Sequence, residues 1–364
     1  MPKATPKTQA GECAQVIRMA GDAVLEKALT QAAEARAASK AQRMMADAPA
    51  ANTLFAKGLE GAAAEQLLFE HMATTLGYRP NAEAFSLLAR RYPLATLKPL
   101  LTLPYAQARH QVLARWMGAF GQLNTPLPPQ SPPELVQEYN EWRHIWQELE
   151  TSDPNTTAEA PLHLHTRGVR PWNSPQRRLV GLFHHLYSAG AGGWLKRWLK
   201  WLYQLDELKD APQLKKKAVE WMEETFPTPQ WEPWRVLVGF HLPPLPNPAA
   251  LVGKDRLLVM LANAVLPFFL AWARQNKDKA LEQLLYRLFL VLPGEAPNAR
   301  TKHMLAALGQ PKLSASLRSQ QGLLQIEQDF CRPYHPHCPE CPWPHMLEQL
   351  AASSSPPASS NPTI

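Results

Sequence analysis

Apolar positions recur along this chain at helical spacing and seldom alternate, a pattern that predicts an α-helical fold. Residues 21–48 are rich in Ala, Glu, Lys and Arg, which favour helix. From Gly61 onward Leu67, Leu68, Met72 and Leu76 form one stripe, and Gly77 suits a helix C-terminus. Asn81 is placed to cap a following helix that turns Phe85, Leu88 and Ala89 inward and stops before Pro93. Pro133 opens a helix running through Leu149, with Glu134 in its first turn, where an acid complements the helix dipole. Further helices are predicted over residues 175–188, 193–208, 215–226, 255–274, 277–292, 299–308 and 313–330. The run from Leu257 to Trp272 is strongly apolar but holds Asn263 and Pro267. It is shorter than the roughly 20 apolar residues of a membrane span. It reads as a buried helix kinked at Pro267, and no membrane partner is expected.

Proline separates these elements, with 36 prolines against 17 glycines. Proline ends helices and opens new ones, so many short helices joined by proline-rich connections are expected. The expected fold is all-α, with two helical lobes and a C-terminal cysteine-rich loop. A partly disordered lead covers residues 1–22 and an N-terminal lobe 23–150. The polar, acidic stretch 151–161 is the linker, followed by a second lobe over 162–330. Residues 331–347 form the cysteine-rich loop, and the Ser/Pro-rich residues 348–364 are expected to be a disordered tail.

The chain carries a net charge of +7. Residues 167–217 hold eleven cations against three carboxylates, an excess sufficient to account for that charge. Trp194, Trp198 and Trp201 share one helix face there. Such a helix either buries its indoles and solvates its basic back, or grips phosphates with the cations. Arg170, Arg177, Arg178, Lys196, Arg197 and Lys200 are the candidate contacts to DNA or RNA. Arg177 and Arg178 fall in the first turns of a helix, where cations oppose the dipole, so an anionic partner is expected for them.

Three of the four cysteines, Cys331, Cys338 and Cys341, fall within eleven residues. The C-x-x-C pair lets two thiolates bind one metal from a single turn. His337 and His345 are the candidate fourth ligands, with His335 beside them. Zinc is the expected metal, an iron–sulfur cluster the alternative, and a metal-free turn stiffened by proline the third reading. Cys13 is too remote in sequence to be counted with them. Four cysteines are too few for a secreted disulfide scaffold, and the first residues lack the apolar stretch of a signal peptide. A cytoplasmic protein is therefore expected.

Residues 76–81 (Leu-Gly-Tyr-Arg-Pro-Asn) with Phe85, Leu88, Ala89 and Pro93 make a first motif. Residues 168–179 (Gly-Val-Arg-Pro-Trp-Asn-Ser-Pro-Gln-Arg-Arg-Leu) make a second. Residues 253–256 (Gly-Lys-Asp-Arg) with Asn263, Leu266 and Pro267 make a third. The fourth is Gln320-Gln321-Gly322-Leu323 running into the cysteines. Together, over roughly residues 22–345, they resemble the bacterial family called domain of unknown function 2851. Members of that family usually begin with a strand-rich domain similar to a degenerate nuclease core, and this chain starts where their helical half starts. The resemblance thus implies a helical protein whose nuclease-like chemistry is either lost or carried by a separately encoded partner domain. The cysteine spacing also resembles the first three ligands of the iron–sulfur loop in helix-hairpin-helix DNA glycosylases. Leu347 stands where that loop has its fourth cysteine. The hairpin and catalytic aspartate of those enzymes have no match, so their activity does not carry over.

There is no phosphate-binding loop, G-x-S-x-G elbow or H-E-x-x-H helix. The expected function is a non-catalytic scaffold or nucleic-acid-associated subunit. The alternatives are a hydrolase built from scattered residues such as Asp255, His163 and Arg170, and a protein-interaction module. His184 and His185 are weaker candidates for a base or a ligand.

Overall fold

The computed structural model describes residues 12–47, 61–152, 160–190, 194–295, 297–310, 313, 316–334 and 340–353. The fold is all-α, as the periodicity predicts, and among the described residues the only β feature is an isolated bridge between Pro293 and Ser316. The chain forms two compact units. The larger is continuous over residues 43–285, and the smaller joins residues 1–42 to 286–364.

In the larger unit the helices are α3 (Ala62–Arg91), α4 (Leu94–Leu101), α5 (Tyr105–Ala119), α6 (Pro133–Ser152), α7 (Pro175–Ala189), α8 (Trp194–Asp206), α9 (Ala211–Thr225), α10 (Lys254–Met260) and α11 (Leu266–Gln275). Elements α1 and α2 belong to the smaller unit and are described below. Proline opens α6 and α7 at the expected residues, where its missing N–H costs nothing. Helix α5 packs along both α6 and α7. Gly118 of α5 allows that closeness, because a Cβ there would lie 2.1 Å from the Trp146 ring of α6. Phe69, Phe85, Trp116, Trp142, Phe183 and Phe268 are fully buried and form much of the core.

Helix α10, a π turn over Leu261–Val265, and α11 make one continuous helical segment. Every residue from Leu257 to Trp272 is buried except Val259 and Asn263, which are half-buried. By length and composition the 22 residues Lys254–Gln275 could cross a membrane, yet 78% of their most apolar stretch is buried inside this fold. The irregularity expected at Pro267 takes the form of the π turn just ahead of it, which accommodates the donor that proline lacks.

Helix α3 departs from the expected pair of helices in an instructive way. It runs through residues 77–81 but is broken at Tyr78, which adopts φ 58° and ψ 177°. The left-handed residue is the tyrosine, not Gly77. Gly77 is required for a different reason, since a Cβ there would stand 2.8 Å from the backbone of Ala82. Asn81 does not cap. Its side chain clasps the backbone of His165, donating to the carbonyl at 2.8 Å and accepting from the amide at 2.7 Å.

The chain passes through α12 (Lys279–Val291) into the smaller unit. Here α1 (Glu12–Ala20) and α2 (Asp22–Asp47) accompany α13 (Ala299–Ala307), α14 (Leu317–Ile326), a π turn over Glu327–Cys331, the short α15 (Arg332–Tyr334) and α16 (Trp343–Ala352). Ile17, Leu25, Leu29, Met304, Leu308, Leu323, Ile326, Trp343 and Leu347 are its core. Two expectations are corrected. Residues 12–20, read as polar lead, are a helix that buries Ala14 and Ile17, and α16 carries ordered structure to Ala352, inside the expected tail. Residues 1–11, 354–364 and most of the expected linker, 153–159, lie outside the described residues.

Candidate functional site

Three of the sequence motifs meet in the larger unit, around the ring of Tyr78. A cavity of about 340 Å³ is lined by Tyr78, Pro80, Asn81, Gly168, Val169, Arg170, Asn173 and Arg178. Both charged residues in that lining are arginines, and no carboxylate lines it. The break at Tyr78 is what turns its ring out of the helix path. The Asn81 clasp on His165 holds the segment leading to Gly168 and Arg170 alongside.

The guanidinium of Arg178 lies 4.5 Å from the centre of the Tyr78 ring and that of Arg256 lies 3.1 Å from it. Arg178 also stands 5.9 Å from the Phe85 ring. Cations over aromatic faces are held by the ring quadrupole. Arg178 donates to the carbonyls of Leu76 and, at 2.5 Å, of Asn173. Burial, with the nearby charge of Arg256, pushes its pKa down to about 9, and Tyr78 works in the opposite direction. The site thus gathers positive charge and satisfies it with dipoles and π faces.

Arg177 points elsewhere and is wholly buried. Its Nη1 donates to the carbonyls of Trp234, Arg235 and Leu237 at 2.6, 2.9 and 3.2 Å. Its Nη2 donates to those of Ala249 and Ala250 at 3.0 and 2.9 Å. Burial lowers its pKa to about 10. This corrects the reading of the Arg177–Arg178 pair. The anionic partner expected for Arg177 is a set of carbonyl dipoles, and Arg177 cannot contact a nucleic acid. Arg178 is buried too, and reaches the cavity only as part of its wall.

The other basic candidates form a second group. Lys196 and Lys200 are exposed on α8, while Arg197 is half-buried. Arg197 donates to the Ser188 carbonyl at 3.2 Å and covers the Trp221 ring at 5.9 Å. None of the three lines the cavity. Trp198 and Trp201 are core residues, packed on Trp221 at 4.6 and 4.2 Å between ring centres. Trp172 was missed by the sequence reading. It sits on the turn Pro171–Asn173, 51% exposed, between Arg170 and the start of α7. The signal was there, an aromatic residue flanked by prolines inside the second motif.

Of the expected metal ligands, Cys331 and Cys341 are partly buried in the smaller unit. Cys338, His335 and His337 lie outside the described residues. His345 is exposed and engages Glu348 at 3.5 Å and Gln349 at 3.0 Å on its own helix. Among the described residues no three His, Cys, Asp or Glu side chains stand as a ready metal-binding group.

The residues suggested for a hydrolase do not converge on the cavity, since Asp255 and His163 are exposed and outside its lining. A separate polar network lies buried between α5, α6, α7 and the turn Pro233–Arg235. Arg109 pairs with Glu138 and, at 2.9 Å, with Glu232. His184 Nε2 meets the second oxygen of Glu232 at 2.7 Å. Trp234 donates its indole N–H to Glu138 at 2.8 Å and its backbone amide to Glu232 at 3.2 Å. Burial alone raises the pKa of Glu232, but the bonds from His184 and Arg109 outweigh it and hold the carboxyl below its ordinary value. Both carboxylates are engaged by protein donors, which is the pattern of a structural network.

A model of the family described as "Protein of unknown function (DUF2851)" matches residues 3–297. The matched region includes all the segments that build the cavity and ends before the cysteine-rich loop. No curated protein and no solved structure matches the chain.

Proposed function

The chain belongs to the DUF2851 family of proteins of unknown function, and on that premise we propose that it is a non-catalytic, nucleic-acid-binding subunit that takes a backbone phosphate at the cavity around Tyr78. The observation that carries this reading is the lining itself. Two arginines and no carboxylate face a concave space built by segments about 90 residues apart in sequence. A second guanidinium, that of Arg256, lies against the same tyrosine as Arg178, and a bound anion would offset the repulsion between the two. Exposed Arg170 supplies a bidentate donor fork suited to phosphate, and exposed Trp172 offers a face on which an unpaired base can stack. Lys196 and Lys200 add a solvated basic strip.

The test is binding of the full chain to random single- and double-stranded DNA and RNA across a salt series. Affinity should fall steeply with salt, because each phosphate contact releases counterions. Arg170→Glu should weaken binding and flatten the salt slope by about one unit. Trp172→Ala should weaken single-strand binding more than duplex binding. No binding at low salt would discard the proposal.

A further inference from the structure

The two arginines that line the cavity around Tyr78 differ in depth. Arg170, on the segment that follows Gly168, is exposed, whereas Arg178 is only 2% exposed and forms part of the wall. The protein partners of Arg178 do not exhaust it. Among the described residues its Nε donates to the Ser174 carbonyl at 3.4 Å, Nη1 to that of Leu76 and Nη2 to that of Asn173. A guanidinium has five N–H groups, so one remains on each terminal nitrogen. No carboxylate lines the space. Tyr78, whose ring centre lies 4.5 Å from the Arg178 guanidinium, keeps a φ of 58° inside a helix, a sparsely populated backbone state that recurs where proteins grip ligands. Trp172 is exposed and stands between Arg170 and Asn173, which both line the cavity.

We propose that the cavity selects a terminal phosphomonoester, the phosphate at the end of a single strand, over the bridging diesters of the backbone. This rests on the nucleic-acid reading above and narrows it. Charge and valence both favour the strand end. At pH 7 a phosphomonoester carries about −1.5 to −2 and presents three acceptor oxygens, whereas a diester carries about −1 and presents two. Two guanidinium groups with no carboxylate beside them balance the first and exceed the second. Three oxygens also serve two donors at once, the exposed fork of Arg170 and the N–H groups left on Arg178. A diester continues as chain on both sides of its phosphorus. It can meet the exposed Arg170 but is hindered from reaching the buried Arg178, while a monoester leads away on one side only. The base of the last nucleotide then stacks on the exposed face of Trp172.

The test titrates the full chain with internally labelled single-stranded oligonucleotides of one sequence, ended by a 5′-phosphate, a 3′-phosphate or hydroxyls only, and with a circle of that sequence. At least one phosphorylated strand should bind about tenfold more tightly than the hydroxyl-ended strand and the circle, the effect of one added hydrogen bond to a charged group. The two phosphorylated strands distinguish which end is taken. Arg170→Gln, a surface change, should bring that preference close to unity. Arg178→Lys, which keeps the charge but removes the fork, should do the same, with Arg170→Gln deciding if Arg178→Lys does not fold. Lys196→Gln with Lys200→Gln should weaken all four ligands alike and leave the preference intact. A circle that binds as tightly as the phosphorylated strands, or a preference that survives Arg170→Gln, would overturn the selection of strand ends while leaving the nucleic-acid reading in place. No binding of any strand at low salt would remove both.

Discussion

Arg177 shows what a buried cation can do without a counter-ion. Its guanidinium gathers five carbonyls from two stretches, 234–237 and 249–250, and so ties the turn at Pro233–Arg235 to the segment ahead of α10. Arg177→Met keeps the volume of the stem but removes this donor from all five carbonyls, of which that of Arg235 keeps the Ala249 amide. Each unsatisfied group costs about 1–3 kcal/mol before relaxation, so the loss of stability should be on the order of 3–4 kcal/mol in a denaturant titration. Arg170→Glu, on the surface, should leave the same titration unchanged. Glu232 holds the opposite position, one carboxylate shared by Arg109, His184 and the Trp234 amide. Glu232→Ala should cost about 3–5 kcal/mol, because it breaks a buried ion pair, leaving Arg109 with Glu138 and His184 without its carboxylate. A change much below 1 kcal/mol would mean that water fills the site.

His185 gives the pH dependence at this scale. The ring is buried, stacks on Phe226 at 4.1 Å and meets the Thr225 carbonyl through Nδ1 at 2.9 Å. Burial pushes its pKa down to about 4 from 6.5, against the help of the Thr225 bond. Between those values the unfolded chain binds more protons than the folded one, so stability falls as pH drops from about 6.5 to about 4. The linkage is worth roughly 3 kcal/mol at most across that window. His185→Phe should flatten the acid limb of a stability-versus-pH curve, whatever it does to the level of the plateau.

At the level of elements, the sequence was most legible where proline and apolar spacing agree. Helices α6 and α7 begin on the prolines that announced them, and α2 and α13 end within one residue of expectation. It was least legible where a residue's reason is tertiary. Gly77 reads as a helix terminator, yet it is there because α3 folds back on Ala82, and the strain passes to Tyr78. Asn81 reads as a cap, and instead holds a segment 84 positions away. Only half of the candidate site was therefore visible. The arginines stood out by charge, but nothing local marks Tyr78 as the ring they share or Trp172 as exposed. Helix α1 was hidden by its shortness, nine residues of which Ala14 and Ile17 are fully buried. A glycine substitution tests the same point. Gly118→Ala would drive a methyl to within 2.1 Å of the Trp146 ring, so α5 and α6 must separate. The expected cost is about 1–3 kcal/mol, read in a denaturant titration.

The whole molecule adds a constraint that no single element carries. The smaller unit is assembled from both ends of the chain, so a reading that advances from residue to residue divides the protein into consecutive lobes and passes over it. Its core draws Ile17, Leu25 and Leu29 from the first thirty residues and Met304, Leu323, Trp343 and Leu347 from the last hundred. Neither set has enough apolar surface to bury alone. Gly322 lies so close to Leu29 that a Cβ would come within 2.5 Å of its carbonyl oxygen, so the two halves meet at backbone distance. A chain shortened to residues 1–297 keeps the family-matched region and the whole larger unit but removes α13 to α16. Residues 12–42 would then lose their partners, and α1 in particular, nine residues long, is too short to persist in water by itself. Circular dichroism should show a loss of helix exceeding that of the deleted segment, and limited proteolysis should cut within residues 12–42 while the larger unit survives. If the shortened chain keeps α1 and α2 protected, the two ends of the chain do not depend on one another.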